Sequence, residues 1–333
     1  MGITYTSVET TKLSTAEVYA KTLVDLAREN PKIVTLTADL AKSTKIGAFE
    51  EEFPERFFNV GIAEQNMFGI AAGMAKIGLI PFTSSFAIFT ACRALDQVHT
   101  DICYQNLNVK MIASHAGTSF GQEGSTNHAT EDIAIMRSLA NLTVFVPADG
   151  LETANVVQAA VEIDGPVYIR INRGFDQKVY DDMNYGFEVG KAVTLHEGTD
   201  LTIIACGSAV FQALQAAKEL DAQGLKVRVL NMHTIKPIDR EAIQQAIQET
   251  RRIITAEDHT VIGGLGGAVA EVIAETGKGC AFKRLGLQDC FSPIGYQEDL
   301  LSHHGIDTNG IMEAVGDVMK MDFEEDDDWA DEV

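Results

Sequence analysis

The chain has 333 residues, 46% hydrophobic and 22% charged, which is long enough for two ordinary domains that each have a core. Its formal net charge of −22 repels nucleic acid and anionic membranes, so neither is expected as a partner. A small anionic ligand is not excluded, because it responds to the local field of its pocket. No apolar run approaches the roughly 20 residues that a membrane helix needs.

The five cysteines are scattered and form no CxxC pair, which argues against a disulfide framework and against a zinc site. His303 and His304 are adjacent but have no third ligand nearby, so no metal site is expected in this chain. Residues 1–12 are polar and lack the apolar segment of a signal peptide. We expect a cytoplasmic protein.

Apolar periodicity predicts alternating helices and strands in the first half of the chain. Helices are predicted over 15–28, 64–76, 89–105, 131–139 and 151–163, and strands over 33–37, 57–62, 80–85, 109–113, 142–146 and 167–171. Alternation of this kind is typical of a parallel sheet with helices on both faces. The many Gly and Ala residues of helix 64–76 allow close packing against a neighbouring backbone, and we expect a dimer interface there.

The second half repeats the alternation after an irregular stretch, 172–197, which we interpret as a linker. Strands are predicted over 201–205, 227–231, 253–256 and 282–287, and helices over 210–222, 240–250, 267–276 and 311–320. We place the domains at 1–185 and 186–320. Eight of the last twelve residues are acidic, which predicts a disordered tail over 321–333.

Two places in the first domain are candidates for chemistry. Glu64 lies at a strand-to-helix junction, and this edge of a parallel sheet is where open α/β folds bind their ligands. As an alternative, the same carboxylate could simply complement the helix dipole. The Gly-, Ser- and Thr-rich loop over 117–130 is too long to be a mere turn, and loops of this length inside compact domains are usually functional.

Four short segments resemble, in order and spacing, the pyrimidine-binding half of thiamine-diphosphate enzymes of the transketolase family. They are NVGIAEQNM (59–67), SSFAIF (84–89), GQEGST (121–126) and VPAD (146–149). The resemblance covers nearly the whole chain. It implies two doubly wound α/β domains, a pyrimidine-binding domain followed by a C-terminal domain of the transketolase type. The chain is thus similar to the C-terminal half of a transketolase encoded as a separate polypeptide.

The resemblance implies that Glu64 lies beside the aminopyrimidine ring of thiamine diphosphate and activates the cofactor by favouring its imino tautomer. A carboxyl group buried against an apolar ring is the setting in which protonation is favoured, so this chemistry agrees with the role that the resemblance implies for Glu64. The family's aromatic pocket matches Phe86 and Phe89, which could share one face of a turn. The family's third aromatic position is occupied here by Cys92.

Asp39 and Ile62 also match cofactor-binding positions of the family, although Asp39 could instead be a helix N-cap. For the substrate, the resemblance implies phosphate contacts from Ser43 and His115, and His115 is also a candidate catalytic residue. It also implies a hydroxyl contact from Glu123.

The family grips an acceptor phosphate with an arginine that matches Arg173, and a guanidinium fork suits that task. Arg170 is the competing candidate, with a structural role as its alternative. A second family arginine falls at Ala16, so part of the phosphate clamp is missing. Where transketolases commonly have Thr-His-Gln, this chain has Thr126-Asn127-His128, and either Asn127 or His128 takes the role of the family's catalytic histidine. These departures leave the preferred sugar phosphate open.

The family holds the cofactor's diphosphate through Mg²⁺, with ligands from Gly-Asp-Gly and a later Asn, and this chain has no Gly-Asp-Gly. The resemblance therefore implies that a second polypeptide, an N-terminal subunit carrying the diphosphate-binding domain, supplies the Mg²⁺ ligands. The expected enzyme is an α2β2 assembly with thiamine diphosphate between the two kinds of chain.

Three functions remain open from the sequence. The first is transfer of a two-carbon ketol unit between sugar phosphates, which the segments FSPIGY (291–296) and GIDTNGI (305–311) favour by resemblance to transketolase. The second is a deoxyxylulose-phosphate synthase or the β subunit of a 2-oxoacid dehydrogenase. The third is a non-catalytic interaction subunit that has kept only the fold.

Overall fold

The computed structural model describes residues 12–321, so the predicted tail over 321–333 lies outside the described residues except for Met321. The described strands form a seven-stranded sheet, a five-stranded sheet and a two-stranded pair. The two large sheets confirm the predicted pair of α/β domains. Among the described residues, no helix is both long enough and apolar enough to cross a membrane.

The first half of the chain supplies most of the larger sheet. This part of the chain contains the strands β1 (Lys12–Ser14), β2 (Ile33–Thr37), β3 (Phe57–Asn59), β4 (Ile80–Phe86), β5 (Lys110–Ser114), β6 (Thr143–Phe145), β7 (Val167–Arg170) and β8 (Phe175–Gln177), of which β1 and β8 form the separate two-stranded pair. Its helices are α1 (Thr15–Glu29), α2 (Gly47–Glu52), α3 (Glu64–Lys76), α4 (Leu95–Gln97), α5 (Asp132–Ser138) and α6 (Gly150–Glu162). Strands β2, β4, β5 and β7 are buried along their whole length, as expected for a parallel sheet covered on both faces.

The order of this sheet determines which chain segments meet at its edge. Strands β3, β2, β4, β5 and β7 are successive parallel neighbours. Their carboxyl ends therefore lie side by side, and the residue that follows each strand falls at the same edge.

The second half builds the five-stranded sheet, with the order β14-β13-β10-β11-β9, parallel except for β9. The second half of the chain contains the strands β9 (Val193–His196), β10 (Leu201–Ala205), β11 (Val227–Asn231), β12 (Thr234–Lys236), β13 (Arg252–Thr260) and β14 (Ala281–Leu287), of which β12 lies outside this sheet. Its helices are α7 (Ala209–Ala222), α8 (Arg240–Glu249), α9 (Leu265–Thr276), α10 (Gln297–His303) and α11 (Thr308–Val318).

The interpretation of 172–197 as an irregular linker is wrong in part. Strand β8 pairs antiparallel with β1, and β9 pairs antiparallel with β11 at the edge of the second sheet. Strand β12 leaves the second half of the chain and pairs with β6 of the first sheet. Strands of three or four residues are too short to show a period, so pairing with a distant strand decides their conformation. The domain boundary at 185/186 stays a prediction.

The predicted helix over 89–105 is interrupted. Wide π-helical turns, Phe89–Arg93 and Val98–Cys103, flank the short helix α4. A π turn accommodates one residue more than an α turn and is frequently found at functional sites. The first of these turns begins at one of the predicted cofactor residues, Phe89.

Candidate active site

Glu64 is held at the sheet edge by a tight turn between β3 and α3. The side-chain oxygen of Asn59 accepts hydrogen bonds from the backbone N–H groups of Asp39 (3.0 Å) and Gly61 (3.1 Å), which ties the ends of β2 and β3 together. Gly61 has a φ of +74°, a conformation that glycine adopts without strain. Glu64 is the first residue of α3, and only 2% of it is exposed.

An arginine that sequence analysis did not single out pairs with Glu64. Arg93 Nη1 donates to Glu64 Oε1 at 2.9 Å, and the guanidinium carbon lies 4.0 Å from the ring centroid of Phe89. A cavity of about 450 Å³ opens over Glu64, and its lining residues are Ile62, Ala63, Glu64, Gln65, Asn66 and Arg93. The sequence offered one signal, since Arg93 follows Phe89 by four residues, a spacing at which helical side chains meet.

The two predicted aromatic residues are in contact and continue into a row of rings. The Phe86 centroid lies 5.5 Å from that of Phe89 and 4.2 Å from that of His115. Phe120, which sequence analysis also missed, lies 4.9 Å from the His115 ring and accepts a hydrogen bond at its carbonyl from Arg173 Nη1 (3.0 Å). We call this row the Glu64–Arg173 contact chain, and its members in order are Glu64, Arg93, Phe89, Phe86, His115, Phe120 and Arg173.

His115 is buried in this row, and its backbone is strained. Its φ is +58°, an uncommon value for a residue other than glycine and one that clusters at functional sites. Burial, with the positive charge of Arg173 as a second cause, lowers the pKa of His115 to about 3. The imidazole is therefore neutral near pH 7. A neutral ring can exchange hydrogen bonds with a substrate oxygen, but it offers no positive charge to a phosphate.

We expect the ring resonances of His115 in an NMR titration to show no protonation between about pH 5 and pH 8, because a pKa of about 3 lies below that window. The unfolded chain takes up a proton near pH 6.5, so His115 destabilises the fold as the pH falls from there toward 3. A His115→Asn variant assigns the resonance and should lose part of this acid sensitivity. Protonation of His115 near pH 6.5 would contradict the lowered pKa.

The long loop over 117–130 carries three further predicted residues. Glu123 is exposed, and its carbonyl accepts a hydrogen bond from Asn127 Nδ2 at 3.1 Å. His128 is only 3% exposed, and its Nε2 lies 3.0 Å from the carbonyl of Gly121 within the loop. Asn127 is thus the more accessible of the two alternatives, and His128 helps to fold the loop.

Hydrogen bonds from the second domain hold the loop over 117–130 in place. Both carboxylate oxygens of Asp258, in β13, accept from the backbone N–H of Thr118, at 3.1 and 3.0 Å. A Cβ at Gly117 would lie 2.4 Å from Asp258 Oδ2, so only glycine fits there. Further along, Ser125 Oγ donates to the carbonyl of Ser292.

The remaining predicted residues lie outside the Glu64–Arg173 contact chain. Asp39 is exposed with a φ of +61°, and Ser43 is exposed on the segment after β2. Ile62 is 77% exposed at the rim of the cavity over Glu64. The Cys92 thiol lies 3.9 Å from Glu131 Oε1, and burial followed by the charge of Glu131 raises its pKa to about 11. The described residues contain no group of three or more His, Cys, Asp or Glu side chains placed to hold a metal ion.

Family models match both halves of the chain. The pyrimidine-binding domain of transketolase matches residues 11–175, and the transketolase C-terminal domain matches residues 190–311. A Methanocaldococcus jannaschii chain named as a transketolase C-terminal section is 43% identical over 91% of this chain and 95% of its own length. A 6-deoxy-6-sulfo-D-fructose transketolase subunit of a Clostridium species is 40% identical over 91% of this chain and 93% of its own length.

Two further comparisons bear on activity. A solved structure described as a split-gene transketolase in an inactive β4 tetramer is 46% identical, with a TM-score of 0.84, over 92% of this chain and 98% of that chain. A 1-deoxy-D-xylulose-5-phosphate synthase of Geobacter sulfurreducens is 41% identical over 89% of this chain but only 47% of its own length. The chain belongs to the transketolase family of thiamine-diphosphate enzymes and comprises its pyrimidine-binding and C-terminal domains.

Proposed function

We propose that this chain is the pyrimidine-binding subunit of a two-chain transketolase that moves a two-carbon ketol unit between sugar phosphates. The Glu64–Arg173 contact chain is the observation that carries the proposal. It joins a buried carboxylate, which can hold a proton, to an exposed guanidinium, which can hold a phosphate, along one edge of the sheet.

The residues at one end of this row fit the pyrimidine ring of thiamine diphosphate. Glu64 offers a buried carboxylate to a ring nitrogen, and Phe89 and Phe86 offer faces for stacking. When bound, the cofactor supplies the carbon nucleophile that cleaves the bond next to a ketose carbonyl. Glu64 holds and returns a proton at its carboxylate, while the aromatic rings exclude water from that exchange.

The other end of the row suits a sugar phosphate. His115, neutral and buried, can exchange a hydrogen bond with a substrate oxygen, and Arg173 can form a bidentate pair with a phosphate. We assign the contact with the sugar to Asn127 and a loop-positioning role to His128, because His128 is buried and bonded to the loop backbone. Roles for Ser43 and Glu123 stay predictions.

A partner subunit is part of the proposal. The family models that match this chain are those of the pyrimidine-binding and C-terminal domains, so we assign the Mg²⁺ site and the diphosphate-binding domain to a second polypeptide. The 46% identical chain described as an inactive β4 tetramer supports both self-association and the need for a partner. On α3, Gly69 and Gly73 are exposed on one face, which suits close packing in the proposed α2β2 assembly. The cytoplasmic location stays a prediction.

The test is co-expression with a candidate diphosphate-domain subunit and an assay of ketol transfer from xylulose 5-phosphate to ribose 5-phosphate, with thiamine diphosphate and Mg²⁺. We expect turnover by the mixture and none by either chain alone, because each chain holds half of the site. Full activity of this chain alone would refute the shared site.

The similarity to deoxyxylulose-phosphate synthases makes a second assay necessary, with pyruvate and glyceraldehyde 3-phosphate as substrates. Turnover in this assay and none in the first would replace ketol transfer by the synthase reaction. A complex that binds the cofactor but turns over neither substrate pair, nor 6-deoxy-6-sulfo-D-fructose, would favour the non-catalytic subunit.

A further inference from the structure

Arg93 covers Glu64 from solvent. The Arg93 side chain is 46% exposed, whereas Glu64 is 2% exposed, and the distance between Nη1 and Oε1 is 2.9 Å. Arg93 closes the π-helical turn Phe89–Arg93, so its side chain starts beside the cavity over Glu64 and reaches back across the face of Phe89. The guanidinium therefore contacts two of the residues to which the proposed function assigns the cofactor.

The guanidinium makes the same two contacts that a pyrimidine ring would make. It is planar and lies 4.0 Å from the Phe89 centroid, a distance at which Arg stacks on aromatic faces. It also donates an N–H to the Glu64 carboxylate, the contact that a protonated ring nitrogen would make. The Arg93 guanidinium and a pyrimidine ring cannot stack on the same face of Phe89 and hydrogen-bond to the same oxygen of Glu64 at the same time.

We propose that Arg93 is a positioning residue that competes with the cofactor's pyrimidine ring for Glu64 and Phe89, and that it leaves both when the ring binds. The inference rests on the proposed function. In the chain without cofactor, Arg93 keeps the buried carboxylate of Glu64 paired, which avoids an uncompensated buried charge. Breaking this ion pair and the stacking contact then reduces the affinity for the cofactor.

The consequence is a variant that binds the cofactor more tightly than the parent protein. Arg93→Met keeps an extended apolar side chain but removes the charge and the planar donor. A partly exposed ion pair and a cation–π contact each contribute modestly, so we expect the Kd for thiamine diphosphate to fall about fivefold to tenfold. Removing a side chain with a merely structural role would not lower the Kd for thiamine diphosphate.

The experiment titrates thiamine diphosphate with Mg²⁺ into the purified two-subunit complex by isothermal titration calorimetry. Arg93→Met and Arg93→Gln are compared with Arg240→Met, a matched control that breaks the exposed ion pair between Arg240 and Glu275. We expect tighter binding in both Arg93 variants, on complexes that elute like the parent, and an unchanged Kd in the control.

An unchanged or higher Kd in the Arg93 variants would overturn the inference, because Arg93 would then be neutral toward the cofactor or would help to bind it. This outcome leaves the proposed function standing, since the parent complex still binds. A parent complex that takes up no thiamine diphosphate would instead refute the proposed function, and the inference with it.

Discussion

Glu64→Gln in the assembled two-chain enzyme is expected to lower kcat by about 10²-fold to 10⁴-fold, the range over which a positioned acid or base contributes. Gln has the same shape, and its amide oxygen can still accept from Arg93 Nη1, so the turn before α3 should keep its structure. It cannot take up and return a proton. The loss should therefore appear in turnover rather than in folding or assembly.

The measurement is steady-state kcat in the ketol-transfer assay, with size-exclusion chromatography to confirm that the complex forms. Glu313→Gln is the matched control, because Glu313 is an exposed glutamate on α11 in the second domain, so the same change there should leave kcat unaltered. Parent-like turnover of the Glu64→Gln complex would show that the carboxylate exchanges no proton in the reaction.

The parts of the fold that could be predicted are those in which a long run of residues follows one hydrophobic period. Strands β2, β10 and β11 and helix α3 have the predicted bounds, because each carries five or more residues of one pattern. The very short strand β12 was missed because its pairing with β6 is a tertiary event. The π turns within 89–103 keep the helical period nearly intact, so no sequence pattern separates them from an α-helix.

In the candidate site, too, some features could be predicted from the sequence and others arise only on folding. The family motifs placed Glu64, Phe86 and Phe89 at a sheet edge, and the structure does place them there. The contribution of Phe120 was not predictable, because it comes from the long loop and meets the His115 ring only after folding. The neutral state of His115 likewise depends on burial and on the nearby charge of Arg173, which are properties of the packed protein.

A buried ion pair joins the loop over 117–130 to the second domain. Arg170 Nε lies 2.9 and 3.1 Å from the two carboxylate oxygens of Asp132, and the side chains are 3% and 0% exposed. Arg170 Nη2 donates to the carbonyls of Ala129 (3.2 Å) and Asp258 (2.8 Å), while Tyr168 Oη donates to Asp132 (2.7 Å). One guanidinium thus holds the end of the loop, α5 and β13 together.

Asp132→Ala should lower the free energy of unfolding by about 3–5 kcal/mol, because it leaves the buried guanidinium of Arg170 without its counter-charge. Urea denaturation followed by circular dichroism measures the change. Breaking the exposed pair between Arg28 and Glu52 by Glu52→Ala is the control, and its midpoint should scarcely move because solvent screens that pair.

Replacing both partners, as Asp132→Leu with Arg170→Leu, should cost less than the single change, since neither charge of this pair is then left buried without the other. The double variant would nonetheless free the carbonyl groups of Ala129 and Asp258 from their shared donor. Its KM for the sugar phosphate should therefore rise, because the loop that carries Asn127 is then tied to the second domain by fewer contacts. A double variant as unstable as Asp132→Ala would show that hydrogen bonds to those carbonyls, and not charge pairing, hold the loop in place.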